Sequence, residues 1–258
     1  MPPPVRLEHD ARGVARITIS RPEVRNAFDA ELIAELTARA GDVPRDARAV
    51  VLASEGETFS AGADLRWMRS TVEASREQNL ADSRALAMMY AALDELPMPL
   101  IVRVQGAAIG GGAGLVAMAD IAVASENATF AFTETRLGIL PSVVSPYVVR
   151  KLGPAFATAA FVTGIRFDAH RAFEVGLVTS VEHGEGLDAE VEEFVAAVLA
   201  CGPAAVREAK RLVRDVTGRR PEEVRELTIE RIADARVSVE GQEGMRAFLE
   251  KRAPRWQP

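Results

Sequence analysis

Apolar positions in the first half of the chain fall into short runs with strand spacing, broken by turn residues and by stretches with helical spacing. Val5–Glu8 and Val14–Ile19 read as strands joined through Asp10-Ala11-Arg12-Gly13, a polar turn ending in glycine. Arg21-Pro22 stops the second strand, because proline has no N–H to give to a ladder. From about Asp29 to Ala40, the residues Leu32, Ile33 and Leu36 recur on one helical face. Ala49–Ala53 is short and continuously apolar, the pattern of a buried strand, with Gly56-Glu57-Thr58 in the loop behind it. Leu86, Met89, Leu93 and Leu96 mark a helix from about Leu80 to Leu96. Pro99–Val104 is a further strand, and Ile121–Ser125 and Thr129–Phe132 are two more, turning at Glu126-Asn127.

Beyond Val143 the pattern becomes almost wholly helical. Val144–Leu152, Ala155–Val162, Ala169–Val175, Leu187–Leu199, Pro203–Val216 and Pro221–Val239 are the expected helices, punctuated by Gly, Pro or Asp. A strand-rich first half with a helix-only last third predicts an α/β core, residues 1–195, followed by a helical subdomain, residues 196–258. Those last helices cover the chain's own core or a neighbouring subunit.

Composition narrows the partners. The 258 residues are 48% hydrophobic and 26% charged, enough apolar material for a full core. A net charge of −6 argues against nucleic acid as the main partner, although a local group of arginines can still bind a polyanion. The single cysteine, Cys201, forms no intrachain disulfide and no cysteine metal site. His9, His170 and His183 stand in unrelated contexts, so no metal is expected. The opening MPPPVRLEHD has neither an apolar targeting core nor an Arg/Ser-rich stretch, and no run reaches membrane-spanning length. The expectation is a soluble cytoplasmic protein without a membrane partner.

Two segments carry candidate chemistry. Gly106-Ala107-Ala108-Ile109-Gly110-Gly111-Gly112-Ala113-Gly114-Leu115 follows the strand ending at Val104 and precedes an apolar helical run, Leu115–Ala119. A strand, a glycine turn and a helix start place free N–H groups and a positive dipole end at one point. The alternative is a tight turn serving only close strand–helix packing. No Lys follows the glycines, which excludes a phosphate loop, and their consecutive placement deep in the chain disfavours a dinucleotide fingerprint. The second segment, Phe59-Ser60-Ala61-Gly62-Ala63-Asp64-Leu65, closes the loop after Ala49–Ala53 with small residues that again expose backbone. Two such sites converging would aim preformed N–H donors at a carbonyl oxygen that gains charge.

With these segments, the chain resembles the enoyl-CoA hydratase/isomerase, or crotonase, family. The resemblance runs through Arg21-Pro22…Asn26-Ala27, Phe59–Leu65, Gln105-Gly106…Gly110-Gly111-Gly112, Phe132-Thr133-Glu134-Thr135-Arg136-Leu137-Gly138, Leu152-Gly153 and Glu243-Gly244-Met245…Phe248-Leu249-Glu250-Lys251-Arg252, in the family's order and spacing. It implies an α/β fold, a crotonase-like spiral of ββα units with a C-terminal helical subdomain, assembled as a homotrimer or homohexamer. It also implies a CoA thioester substrate, held by the N–H groups of Ala63 and Gly111, with no separate cofactor. By position in that resemblance, Glu23–Arg25 and the Ala61–Leu65 loop, with Ala61, Asp64 and Leu65, would line the adenine and pantetheine path, and Gly110 and Gly114 are further substrate-binding candidates. Arg25 and Arg66 are the candidate cations for its phosphates, with Lys251 reaching from a neighbouring subunit; Arg66 and Lys251 read equally well as solvated surface cations.

One position departs from the family pattern. Hydratases of the family use two glutamates, at the positions of 134 and 114, and here position 114 is Gly. Glu134 is the remaining proton carrier, unless it is a structural carboxylate paired with Arg136. Ala63–Met68, Asn79–Arg84 and Thr133–Val148 resemble bacterial methylglutaconyl-CoA and isohexenylglutaconyl-CoA hydratases, a branch that also carries Gly at the position of Gly114. Arg136 then either binds the substrate's extra carboxylate or orients Glu134. Three functions remain open: a hydratase-type lyase for a branched or carboxylated enoyl-CoA, a Δ3-Δ2-enoyl-CoA isomerase with Glu134 as sole proton carrier, and a non-catalytic CoA- or RNA-binding relative. Acidic charge weighs against RNA, and the presence of Glu134 against a non-catalytic role.

Overall fold

Nearly continuous burial of Val14–Ile19 and Ala49–Ser54 marks the large sheet as covered on both faces. In this computed structural model, which describes residues 3–257, β1 (Val5–His9) and β2 (Val14–Ile19) form an antiparallel hairpin with Val5 opposite Ile19. Met1 and Pro2 of the expected MPPP tail lie outside the described residues. Asp29 caps α1 (Ala30–Gly41) by accepting from the Leu32 N–H at 2.9 Å, and α1 buries Leu32, Ile33, Leu36 and Ala40. Every residue of β3 (Ala49–Ser54) is buried. A short α2 (Leu65–Val72) leads to α3 (Arg76–Asp94), which starts at a reciprocal Ser75/Gln78 cap, four residues before the apolar repeat begins at Leu80. Next come β4 (Leu100–Val104), β5 (Ala108–Ile109), α4 (Gly111–Met118), β6 (Ile121–Ser125) and β7 (Thr129–Ala131).

The chain then continues as α5 (Ser145–Thr163), β8 (Phe167–Asp168), α6 (Ala169–Glu174), β9 (Ser180–Glu182) and α7 (Leu187–Ala200). The large sheet has the order β1-β2-β3-β4-β6-β9 and is parallel from β2 onward; the small sheet is β5-β7-β8. Strands β4 to β7 therefore alternate between the sheets, one strand in each and then a helix, as a spiral of ββα turns; β8 then stays in the small sheet and β9 returns to the large one after α6. Both faces of the large sheet are covered, which explains its continuous apolar strands. Val50 and Leu52 face the main core with α1, α3 and α4, whereas Ala49 and Val51 face Leu187, Val191 and Val195 of α7.

Several expectations change in the last third. The two helices expected either side of Gly153-Pro154 are both present within α5, separated where Gly153 leaves helical geometry at φ 73° and ψ 163°. The short strands β8 and β9 interrupt a region expected to be wholly helical. The expected helices Pro203–Val216 and Pro221–Val239 are α8 (Pro203–Val216) and α9 (Pro221–Val237), and a further, unexpected helix, α10 (Val239–Leu249), follows from the cap Ser238, which accepts from the Gly241 N–H at 2.9 Å. The expected division at 195/196 falls within α7. Side-chain cations tie α8 to the core, with Arg207 donating to Ala47 O and Lys210 to Met98 O, both at 3.0 Å. By contrast Val237, Val239, Phe248 and Leu249 of the final helices are exposed. His170 and His183, expected in unrelated places, have ring centroids 6.2 Å apart, and His183 pairs with Glu126. Among the described residues, no helix is long and apolar enough to cross a membrane.

Candidate active site

Because β3 and β4 are parallel neighbours, the loops that leave them emerge at the same edge of the sheet. Asn26, fully buried, organises the first loop: its amide donates to Glu55 O and Thr58 O at 2.8 and 2.7 Å and accepts from the Arg21 N–H. Ser60 then pairs with Ala108, donating its N–H to Ala107 O at 3.0 Å while the Ile109 N–H donates back at 2.9 Å. The second loop passes so near the first that a Cβ on Gly106 would stand 1.9 Å from Glu57 O. Phe28 brackets the position that matters. Its N–H donates to Gly62 O at 2.7 Å and its carbonyl accepts from the Asp64 N–H at 2.8 Å. That bridge uses the groups on either side of Ala63 and turns the half-buried Ala63's own N–H the other way, where it has no acceptor among the described residues.

The glycine segment supplies the second donor. The expected helical run began at Leu115, but α4 starts at Gly111, inside the glycines. Gly110 is pinned from below, its N–H donating to Ala131 O at 2.7 Å. The Gly111 N–H thus lies in the first helical turn, without an intrahelical acceptor and at the positive end of the dipole. The ring of Phe28 lies against it, 2.9 Å from where a Gly111 Cβ would stand. One residue therefore holds both donors, Ala63 through its backbone and Gly111 through its ring.

Glu134 opens a 3-10 turn after β7, and its Oε1 lies 3.1 Å from where a Gly110 Cβ would stand. Its Oε2 is buried with no hydrogen-bond partner among the described residues, and burial raises its pKa above the usual carboxylate value. The pairing with Arg136 weighed above is not formed. Arg136 is exposed, with its Cγ and Nε packed over Gly164 at the C-terminus of α5, each 3.0 Å from where a Cβ would stand. A cation suits that end of a helix.

Sequence reasoning missed what surrounds Gly114. A Cβ there would stand 2.5 Å from Val144 Cγ1 and 3.0 Å from the hydroxyl of Tyr90, so the direction a side chain at 114 would take is filled. Tyr90, on α3, is fully buried, and its hydroxyl donates to Gly111 O at 2.8 Å. Burial, and then the nearby Glu134 charge, hold its pKa well above 10. In the sequence Tyr90 sits beside the helical repeat of Met89 and Leu93 and reads as core; only the hydroxyl marks it out.

The other candidate residues separate by role. The carbonyl of Arg25 accepts from the Ala61 N–H at 3.0 Å, which joins those two at one place. Arg25, Leu65, Arg66 and Lys251 are exposed, and none of the three cations has an ion pair among the described residues. Asp64 is buried, and its Oδ1 caps α2, accepting from Arg66 and Trp67 N–H groups at 2.7 and 3.2 Å. Its carboxylate is therefore committed to the helix rather than turned to a ligand. A mainly apolar cleft of about 410 Å³ between α1, α2 and α3, lined by Ile33, Trp67 and Met88, includes none of Ala63, Gly111 or Glu134.

The fold is a two-sheet ββα spiral, with the loops that leave its parallel strands gathered at one edge. Residues 9–258 match the sequence profile of the family described as enoyl-CoA hydratase/isomerase, and the chain belongs to that family, with its crotonase-like α/β fold. The crystal structure of an enoyl-CoA hydratase from Shewanella pealeana superposes with a TM-score of 0.92 at 39% identity, covering 98% of this chain and 96% of that one. AtuE of Pseudomonas aeruginosa gives 0.93 at 34% identity, over 99% and 100% of the two chains. A trans-2-decenoyl-[acyl-carrier-protein] isomerase of Streptococcus mutans is 27% identical over 248 residues, 95% of this chain and 94% of its own length.

Proposed function

We propose that this member of the family is a hydratase-type lyase, adding water to a 2-enoyl-CoA thioester or removing it. The observation that carries the reading is the buried, unpaired carboxyl of Glu134 beside the turn where the free N–H groups of Ala63 and Gly111 are held together. In this reading the two N–H groups donate to the thioester oxygen as charge develops on it. Water gives a proton to Glu134 as its oxygen bonds to the β-carbon, and the π electrons pass toward the thioester oxygen. Glu134 then returns that proton to the α-carbon, so one carboxylate completes the addition and ends unchanged. A pKa raised by burial suits a group that must accept and then donate a proton near neutrality.

The acyl group in this proposal is branched or carboxylated, as in 3-methylglutaconyl-CoA, a reading supported by the Ala63–Met68 and Thr133–Val148 motifs and by glycine at 114. Arg136, free of Glu134, is the candidate cation for an extra carboxylate. Arg25 and Arg66, with Lys251 of a neighbouring subunit, are the candidates for the CoA phosphates, and Ala61, Leu65 and Gly110 for its path. The exposed apolar residues of α9 and α10 support assembly as trimers or hexamers of a cytoplasmic enzyme. CoA enters as part of the substrate, with no separate cofactor.

A Δ3-Δ2-enoyl-CoA isomerase is the second reading, and the single carboxylate is the observation that favours it. Glu134 would move one proton between C2 and C4 with no water added. A panel of crotonyl-, 3-methylglutaconyl- and 3-enoyl-CoA, with products weighed by mass spectrometry, separates the two. Hydration adds one water to the mass and isomerisation leaves it unchanged. Binding of acyl-CoA without turnover of any member would refute both enzymatic readings.

A further inference from the structure

The Tyr90 phenol lies deep in the core, where a phenylalanine ring would fill the same space without burying an oxygen. A buried hydroxyl is costly unless it is bonded, and this one has a single hydrogen to give. It gives that hydrogen to Gly111 O at 2.8 Å, across from α3 to the first residue of α4. Gly111 is thereby held from two directions. The Phe28 ring and the Tyr90 hydroxyl each stand 2.9 Å from where its Cβ would be, so no side chain has room there. Phe28 also fixes Ala63 through its backbone, so it sets the relation between the two donors, and Tyr90 sets how deeply the second one sits.

We infer that Tyr90 is a positioning residue for the Gly111 N–H, anchoring that residue's carbonyl so that its N–H stays aimed at the substrate thioester oxygen. The inference rests on reading Ala63 and Gly111 as the oxyanion donors. Tyr90 itself is fully covered and touches no substrate, and it acts through Gly111 alone. Its phenol keeps its proton across the working pH range, held there by burial and by the neighbouring Glu134 charge, so the anchor does not switch off.

The test is Tyr90→Phe, which keeps the ring. Small misplacements of a catalytic group cost up to about 10²-fold, so kcat is expected to fall on the order of 10–10²-fold while KM stays within about threefold. The decisive readout is the carbonyl stretch of a bound acyl-CoA labelled with ¹³C at the thioester carbon. In the wild-type protein the band moves to lower frequency as the N–H groups polarise the carbonyl. In Y90F it returns toward the free value, and in E134Q, which leaves the donors alone, it keeps the wild-type position.

A second variant keeps the hydroxyl and so guards against misfolding. The chain has two tyrosines, so 3-fluorotyrosine incorporated into Y147F protein enters only at position 90. That more acidic phenol is expected to move the band further in the wild-type direction. An unchanged band in Y90F, or an unchanged band with 3-fluorotyrosine, overturns the inference even if Y90F melts earlier. A wild-type band that does not move with any acyl-CoA overturns the donor assignment and this inference together. A normal band with no hydration of the substrate panel overturns only the hydratase reading, and the Y90F comparison still decides the role of Tyr90.

Discussion

Placing a methyl group on Gly114 sets a known gain against a measurable obstruction. In mid-helix, Gly114→Ala gains about 1 kcal/mol of helix propensity. The new Cβ would stand 2.5 Å from Val144 Cγ1, 3.0 Å from the Tyr90 hydroxyl and 3.2 Å from Val144 Cβ. Val144 is 3% exposed and belongs to the main core, so it has little freedom to withdraw. Overpacking of this kind costs about 1–3 kcal/mol, which leaves a net loss of roughly 0–2 kcal/mol. Val144→Ala alone removes two buried methyl groups and costs about 2 kcal/mol including the cavity. In the double variant the 2.5 Å contact is gone and only the 3.0 and 3.2 Å contacts remain, part of the cavity is filled and the helix gain remains, so the cost is about 0–1 kcal/mol. The two substitutions are therefore expected to couple by about 1–4 kcal/mol. Thermal midpoints at one fixed protein concentration read this, at roughly 2–4 °C per kcal/mol for a chain of this size. Additivity within about 0.5 kcal/mol would show that Val144 does not obstruct position 114. The cycle also bears on chemistry, because Gly114→Glu sends a longer side chain the same way. A second carboxylate is expected to support crotonyl-CoA hydration only with Val144→Ala beside it, and Gly114→Glu alone is expected to disturb α4.

Glu134→Gln is expected to lower kcat by about 10²–10⁴-fold with acyl-CoA affinity nearly unchanged, as single-turnover and binding measurements would show. Its stability should move the other way. Burial raises the folded pKa of Glu134, so the wild type has this group's full stability below the ordinary 4.5 and loses it as pH rises through the raised value. E134Q should thus melt higher than wild type near neutral pH, with the difference vanishing toward acid; an equal difference at every pH counts against the buried carboxylate. Ala63→Pro removes one donor while the Phe28 bonds, made by Gly62 and Asp64, stay available, and kcat should fall on the order of 10²–10³-fold. Light scattering should give a mass of three or six chains, and a monomer at micromolar concentration would remove the role given to a neighbour's Lys251.

Periodicity recovered the long elements and failed on the short ones for a physical reason. A buried helix such as α1 repeats its apolar face over Leu32, Ile33 and Leu36, and β3 is apolar on both faces because α7 and the main core cover both. Strands β5 and β8 span two residues each, too few for any period to register, and β9 spans three. The end of α9 lies within two residues of the expected one, but α10, which restarts from the single cap Ser238, was not expected. The site divides in the same way. Small residues at 61–63 and 106–114 mark the two loops in the sequence, and the choice of Ala63 and Gly111 within them rests on the family resemblance. The side chains that aim that backbone carry no such mark. Asn26 looks like a loop residue, Phe28 and Tyr90 look like core, and Asp64 looks like a ligand although it caps a helix.

That division follows from what each kind of residue must do. A backbone donor is revealed by the absence of a side chain, and absence leaves a mark in composition that needs no tertiary information. A positioning residue is defined by its partner, which here comes from another element: Tyr90 of α3 meets α4, and Phe28, just before α1, meets both loops. Nothing in their local spacing records those meetings. They arise because β3 and β4 pair in parallel and deliver their loops to one edge, where α3 also packs. A carboxylate is intermediate. Its chemistry can be read in sequence, but whether Arg136 neutralises it cannot, since i and i+2 in a 3-10 turn point apart. Arg136 packs over Gly164 instead, and burial of Glu134 raises its pKa, as the proposed acceptance and release of a proton requires.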